Sequence, residues 1–221
     1  MHSASNSPLH PSAVGSFNRT LSALRGFAAG ARIVERCELC SKELAGDHHH
    51  LLDPARRQVL CACGACSMLF TSSGETKYKR VPRRVRYLPD FQLTDAQWES
   101  LLIPINMAFF FQSTPDSRIV ALYPSPAGPI ESQLSLDAWS ELVRENPALQ
   151  DLDADVEALL VNRIAQSRGG AAAEYFIAPI DECYKLVGLI RGSWRGFSGG
   201  TEVWQEIAAF FASLKEKSCR T

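Results

Sequence analysis

The sequence predicts an α+β protein in two parts, a small zinc-ribbon-like head followed by a mixed α/β body. Three observations predict it. Two Cys-x-x-Cys pairs, Cys37/Cys40 and Cys63/Cys66, stand about twenty residues apart, which is the spacing of a zinc ribbon. Charge is polarised along the chain: residues 31–90 carry eleven Lys/Arg against seven Asp/Glu, and residues 91–166 carry three against eleven, which marks two distinct or mutually attracting units. Beyond residue 90, short apolar runs alternate with amphipathic stretches, and 46% hydrophobic residues over 221 positions are ample for a core.

The elements follow in order. Residues 1–18 are rich in Ser, Pro, Asn and His without periodicity and read as disordered. Residues 19–34 allow a weak helix through Leu21, Leu24 and Phe27, interrupted by Gly26 and Gly30. The metal-binding head spans 35–72, with a turn at Ser72-Ser73-Gly74, and the body spans 73–221. Residues 77–91 are extended, since Val81, Val85 and Tyr87 fall at even spacing and Pro82 and Pro89 exclude a long helix. Thr94 caps a short helix reaching Trp98. Residues 105–112 and 118–123 read as strands, and the Pro- and Gly-rich stretch 124–129 turns the chain into a third at 130–134. Residues 136–145 form a helix that stops before Asn146-Pro147. Residues 153–164 are expected to be helical, with Asp153, Asp155 and Glu157 complementing the dipole of the first turn. A strand at 174–178 and helices at 181–191 and 201–215 complete the body.

Seven cysteines are present, and five of them lie within thirty residues around the run His48-His49-His50. The simplest ligand set is Cys37, Cys40, Cys63 and Cys66: a tight turn inside each pair points both sulfurs to one side, and Gly64 suits a turn requiring a positive φ. Cys61 stands two residues before Cys63 and would face the same side of an extended strand. It is a replacement ligand, a member of a second metal site, or a small buried hydrophobe. His48 and His50 form an alternating pair that one strand would aim at a single ion, or else belong to a polar loop. Zn²⁺ is the expected metal, with Fe as the alternative in a rubredoxin-like electron-transfer site. Cys183 and Cys219 read as a core residue and a tail residue.

Several function classes are excluded or disfavoured. The first thirty residues hold no apolar core of signal-peptide length, and no run reaches membrane-spanning length, so a reducing cytoplasm is expected. The basic run from Lys77 to Arg86 suggests phosphate contacts, with Tyr78 stacking on a base, and supports a nucleic-acid-binding regulator as an alternative function. The acidic remainder of the chain favours instead a strand laid against the body or a solvated edge strand. The glycine-rich stretch 191–201 matches neither a Walker nor a dinucleotide motif and reads as a helix-to-helix connection. Cys183 lies near a helix N-terminus, but no histidine follows His50, so no Cys–His pair forms within the body and no catalytic constellation is expected there. The order of cysteines and histidines is similar to that of the HNH nucleases, which would make His49 or His50 a general base. The asparagine and later histidine of that motif are absent after Cys66.

A closer resemblance covers nearly the whole chain. The stretches Cys37-Glu38-Leu39-Cys40, His50-Leu51-Leu52-Asp53, Cys61-Ala62-Cys63-Gly64-Ala65-Cys66, Tyr123-Pro124-Ser125-Pro126-Ala127-Gly128, Asp155-Val156-Glu157-Ala158-Leu159-Leu160 and Ile180-Asp181-Glu182-Cys183-Tyr184 resemble those of an uncharacterised bacterial family encoded near [NiFe]-hydrogenase genes, particularly in actinobacteria. The resemblance implies an accessory protein in assembly or electron transfer, with hydrogenase subunits or maturation factors as partners. It carries over no catalytic residue.

Overall fold

The structure is a computed structural model that describes residues 34–70, 76–134, 136–167 and 172–218. The chain divides into two units, Met1–Glu35 and Arg36–Thr221. The expectations for residues 1–33, for the turn at 72–74 and for Cys219 lie outside the described residues.

The second unit begins with an antiparallel hairpin, β1 (His49–Asp53) and β2 (Gln58–Ala62), followed by helix α1 (Gly64–Met68). Strand β3 (Lys79–Arg80) pairs with the other side of β1, giving a three-stranded sheet in the order β2-β1-β3. Side chains alternate across a strand, so this small sheet has two unlike faces. Leu51 and Ala62 pack with Cys37 and Cys63, whereas Leu52 belongs to the main core together with Phe109 and Phe176.

The main sheet is antiparallel throughout. Its strands are β4 (Arg86–Tyr87), β5 (Met107–Ser113), β6 (Arg118–Ser125), β7 (Gly128–Ser132), β8 (Glu157–Asn162) and β9 (Glu174–Pro179), in the spatial order β4-β9-β8-β5-β6-β7. Helix α2 (Asp95–Ser100) precedes β5, and α3 (Leu136–Glu145) with a 3-10 turn (Pro147–Asp151) precedes β8. The short α4 (Ile164–Ser167) leads towards β9, and α5 (Ile180–Ser193) and α6 (Gly200–Ser218) end the described chain. The period of two in β5 explains the layering. Phe109 and Phe111 point to the side of α5 and α6, while Ala108 and Phe110 meet Trp98 of α2 and Trp139 of α3. Both faces of the central strands are therefore covered, and the sheet is the middle layer of three.

Local chemistry sets the boundaries. Thr94 closes a capping box on α2: the Gln97 N–H donates to Thr94 Oγ1 at 3.2 Å, and the Thr94 N–H donates to Gln97 Oε1 at 2.9 Å. Asn146 ends α3 and is buried because its amide is used three times, accepting the Gln92 N–H at 2.7 Å and donating to Gln92 O at 2.9 Å and to Leu142 O at 3.0 Å. In the β6–β7 hairpin the turn is tighter than the sequence suggests: pairing continues to Ser125 opposite Gly128, whose φ of 122° only glycine adopts readily.

Residues 153–164 do not form the expected helix. Residues 154–156 make a turn and Glu157–Asn162 is β8, a central strand buried on both faces. Its acidic residues do not serve a helix dipole. The buried Asp155 carboxylate accepts from Lys79 Nζ at 2.6 Å and from the Thr114 N–H and Oγ1 at 2.8 and 2.6 Å. Glu157, 1% exposed, lies 3.4 Å from Arg86 and 3.8 Å from Arg84. A buried carboxylate persists only with such partners. The basic run is thus laid against the acidic segment, with Arg83 also paired to Asp47.

Among the described residues no helix is long and apolar enough to cross a membrane.

Candidate metal centre

Each knuckle is built by local hydrogen bonds. In the first, the Ser41 N–H donates to Cys37 O at 2.7 Å and the Cys37 N–H to Lys42 O at 2.8 Å, while Arg36 and Glu43 bridge across the base. The left-handed residue is Ser41, at φ 62°, the residue after the second cysteine. In the second knuckle Cys63 is the N-cap of α1, with the Cys66 N–H donating to Cys63 Sγ at 3.4 Å and the Ser67 N–H to Cys63 O at 2.9 Å. Gly64 is the first residue of that helix, so the positive φ expected of it is not used. The helix start replaces the turn.

The four sulfurs of Cys37, Cys40, Cys63 and Cys66 all lie within 4.8 Å of one another. Cys40 Sγ and Cys63 Sγ stand 3.7 Å apart. A tetrahedral ion with Zn–S bonds of about 2.3 Å spaces its sulfurs about 3.8 Å apart, so the residues present fit a thiolate-bound metal. Cys37 and Cys63 are buried against Leu51 and Ala62, Cys66 is half-buried and Cys40 is exposed, so the cluster is partly open to solvent. Crowding splits the thiols. Burial acts to raise Cys37, but the Cys63, Leu39 and Cys40 N–H groups outweigh it and bring it down to about 6. Cys66 is pushed up to about 12, first by its sulfur neighbours Cys63 and Cys40 and then by burial. Four thiols this close share negative charge poorly until a cation joins them.

Cys61 does not face the four-cysteine cluster as alternation from Cys63 suggests. The strand ends at Ala62, and Cys63 turns away as a helix cap. Cys61 is instead the cross-strand partner of His50, and its sulfur lies with ligand atoms of His48 and His50 within 4.8 Å of one another. His50 Nδ1 is 2.6 Å from Asp181 Oδ2, and His48 Nδ1 is 3.0 Å from Ala45 O. The adjacent His49 lies near Arg80, 3.5 Å away, and burial followed by Arg80 and Arg83 lowers its pKa. Asp181 was legible only as a helix start; nothing local in the sequence signals a partner 131 residues away.

The remaining sequence candidates take structural places. Cys183 is fully buried, and burial, then Asp181 and Glu182, hold its thiol well above the usual range. The loop after α5 connects two helices: Arg195 donates to Gly192 O and Trp194 O, and at Gly199, φ 84°, an added Cβ would lie 2.8 Å from Val203 Cγ1.

Comparison with curated proteins and with solved structures finds no match. A family model described as "Family of unknown function (DUF5947)" matches residues 36–218, which is the described fold from the first knuckle to the end of α6. The chain therefore belongs to that family of unknown function.

Proposed function

We propose that this protein is a metal-binding accessory or assembly factor that works through protein–protein contacts, with Zn²⁺ held by Cys37, Cys40, Cys63 and Cys66 in a zinc-ribbon-like head. The observation that carries the reading is the convergence of four sulfurs from two separate knuckles, with one pair at tetrahedral-ligand spacing. Four thiolates saturate a zinc ion and leave no position for substrate, which suits a structural role for that ion. Both knuckles also carry exposed apolar side chains, Leu39 on the first and Met68 and Leu69 beyond the second, which supports a contact surface beside the metal. The resemblance to a family encoded near [NiFe]-hydrogenases directs the partner search to hydrogenase subunits and maturation factors.

The nucleic-acid alternative draws on the basic run, but Lys79, Arg83, Arg84 and Arg86 are engaged by Asp155, Asp47 and Glu157. That engagement favours the protein reading. Two experiments test it. The chain tagged in its own cells should retain a hydrogenase subunit or maturation factor, and Met68→Ser with Leu69→Ser should abolish retention while metal content is unchanged. Titration with DNA and RNA at low salt should give no binding. Tight binding that weakens steeply with salt, lost when Arg80, Arg83 and Arg84 are all changed to Ser, would reverse the assignment.

A further inference from the structure

We infer that His48, His50 and Cys61 form a second metal site, of the open kind that leaves a coordination position for water or a small ligand. It uses none of the four knuckle sulfurs and stands or falls separately from them.

Strand register assembles the site. His50 is directly opposite Cys61 in the β1–β2 ladder, so their side chains share a face, and His48, just before β1, brings its ring against that of His50. This is also the Leu52 face, turned towards α5, whereas Leu51 and Ala62 on the opposite face pack against the cysteine knuckles. The two donor sets therefore lie on opposite sides of one hairpin.

Both imidazoles are set for a metal. A carbonyl and a carboxylate can only accept, so His48 Nδ1 carries its proton towards Ala45 O at 3.0 Å, and His50 Nδ1 carries its proton towards Asp181 Oδ2 at 2.6 Å. Each ring then offers the lone pair of Nε2. A histidine whose other nitrogen is tied to a carboxylate or backbone carbonyl is the usual arrangement of a metal ligand, because the partner fixes the tautomer and raises ligand basicity. The two rings meet edge to face with centroids 4.8 Å apart, which keeps both beside the Cys61 sulfur.

The donor set selects the ion. Two imidazoles and one thiolate suit a borderline-soft first-row divalent ion such as Zn²⁺, and they are poor ligands for Mg²⁺ or Ca²⁺. Such an ion with a single thiolate keeps one positive charge, which the adjacent Asp181 carboxylate offsets. Three protein ligands leave the fourth position vacant in the pattern of catalytic rather than structural zinc. Beside the three ligands, His48 and His50 line a cavity of about 600 Å³ whose wall includes Asp181, Glu182, Lys185 and Lys217. A volume of this order accommodates a small molecule, and its wall carries both signs of charge.

Metal counting on the full chain tests the inference. Metal-free protein is titrated with Co²⁺ and with Zn²⁺, followed by absorption and by elemental analysis after desalting. Two independent sites predict about two equivalents for the unaltered chain and about one for His48→Ala with His50→Ala. Asp181→Asn should keep both equivalents but weaken one of them by roughly 10–100-fold, as loss of an orienting partner does. Cys40→Ser should lose the knuckle equivalent and keep the histidine one, so failure of either site is read separately. Saturation of the unaltered chain at one equivalent overturns the inference. So does an undiminished second equivalent in the double histidine variant, or loss of both equivalents there with an unchanged circular dichroism spectrum.

Discussion

Cys63 has two roles. Its sulfur belongs to the four-thiolate cluster and also accepts the Cys66 N–H as the cap of α1. Serine is a good cap but a hard, neutral ligand, so the two roles are separable. Cys63→Ser should therefore lose the knuckle-site zinc in a chelator competition while its α1 amides exchange no faster than those of the zinc-free unaltered chain; Cys63→Ala should lose that zinc and exchange faster still. Equal zinc affinity in Cys63→Ser and the unaltered chain would remove Cys63 from the ligand set. At this scale the four knuckle cysteines were legible because each pair is closed by bonds spanning only a few residues. Cys61 and His50 were legible as chemistry but not as a pair. Their juxtaposition depends on hairpin register, and the hydrogen bond that orients His50 comes from the start of α5.

Among the elements, β8 is where local reading failed. A short apolar run bounded by acidic residues is compatible with a helix start or a buried strand, and periodicity alone does not separate them. The decision was made by tertiary partners: Lys79, Arg84 and Arg86 neutralise Asp155 and Glu157, and neighbours on both sides complete the ladder. The strand has a distinctive mutational signature. Leu159 and Leu160 are adjacent and both fully buried, one in each core layer. Leu159→Ala and Leu160→Ala should each destabilise by about 2–5 kcal/mol in denaturant unfolding, because each leaves a cavity in a different core layer. The β1–β2 hairpin offers a second, electrostatic prediction. Arg57 reaches Asp116 at 2.6 Å and Glu131 at 2.9 Å. Its hydrogen bonds, joined by Ser113 at Asp116 and Arg118 at Glu131, hold both carboxyls below the usual range, against opposing burial that is the largest influence at Glu131. A depressed folded pKa contributes stability that is present above the unfolded value of about 4 and lost as pH falls through the folded one. Arg57→Met should thus be less stable than the unaltered chain at neutral pH, and the gap should close in acid. A gap that widens below pH 4 would contradict the clamp.

Across the whole molecule, the small sheet is anchored by apolar packing. Leu52 and Val81 belong to the same core as Phe109, Phe176 and Phe211. The cluster around the knuckle cysteines has far fewer buried members, Leu51 and Ala62 beside Cys37 and Cys63. A cluster that small cannot order the knuckles by apolar burial, so metal binding and local folding should be coupled there. Removal of metal by a chelator should accelerate amide exchange in residues 36–47 and 63–70 while β5, β8 and β9 remain protected. Collapse of protection across the six-stranded sheet would show that the metal holds the entire fold. The three-layer arrangement itself could not be read from the sequence, because the order β4-β9-β8-β5-β6-β7 interleaves strands far apart in the chain. What the local patterns did carry was the position of most strands and of α2, α3, α5 and α6, each bounded by a cap, a proline or a glycine.

The central claim is that the four knuckle cysteines hold zinc. Elemental analysis with an absorption spectrum, on full-length protein purified without added metal, tests it most directly. At least about one tightly held equivalent of zinc per chain is expected, with no visible band, and Cys40→Ser with Cys63→Ser should remove that equivalent. Zinc that stays undiminished in the double variant, or stoichiometric iron with visible thiolate-to-iron charge-transfer bands, would contradict it.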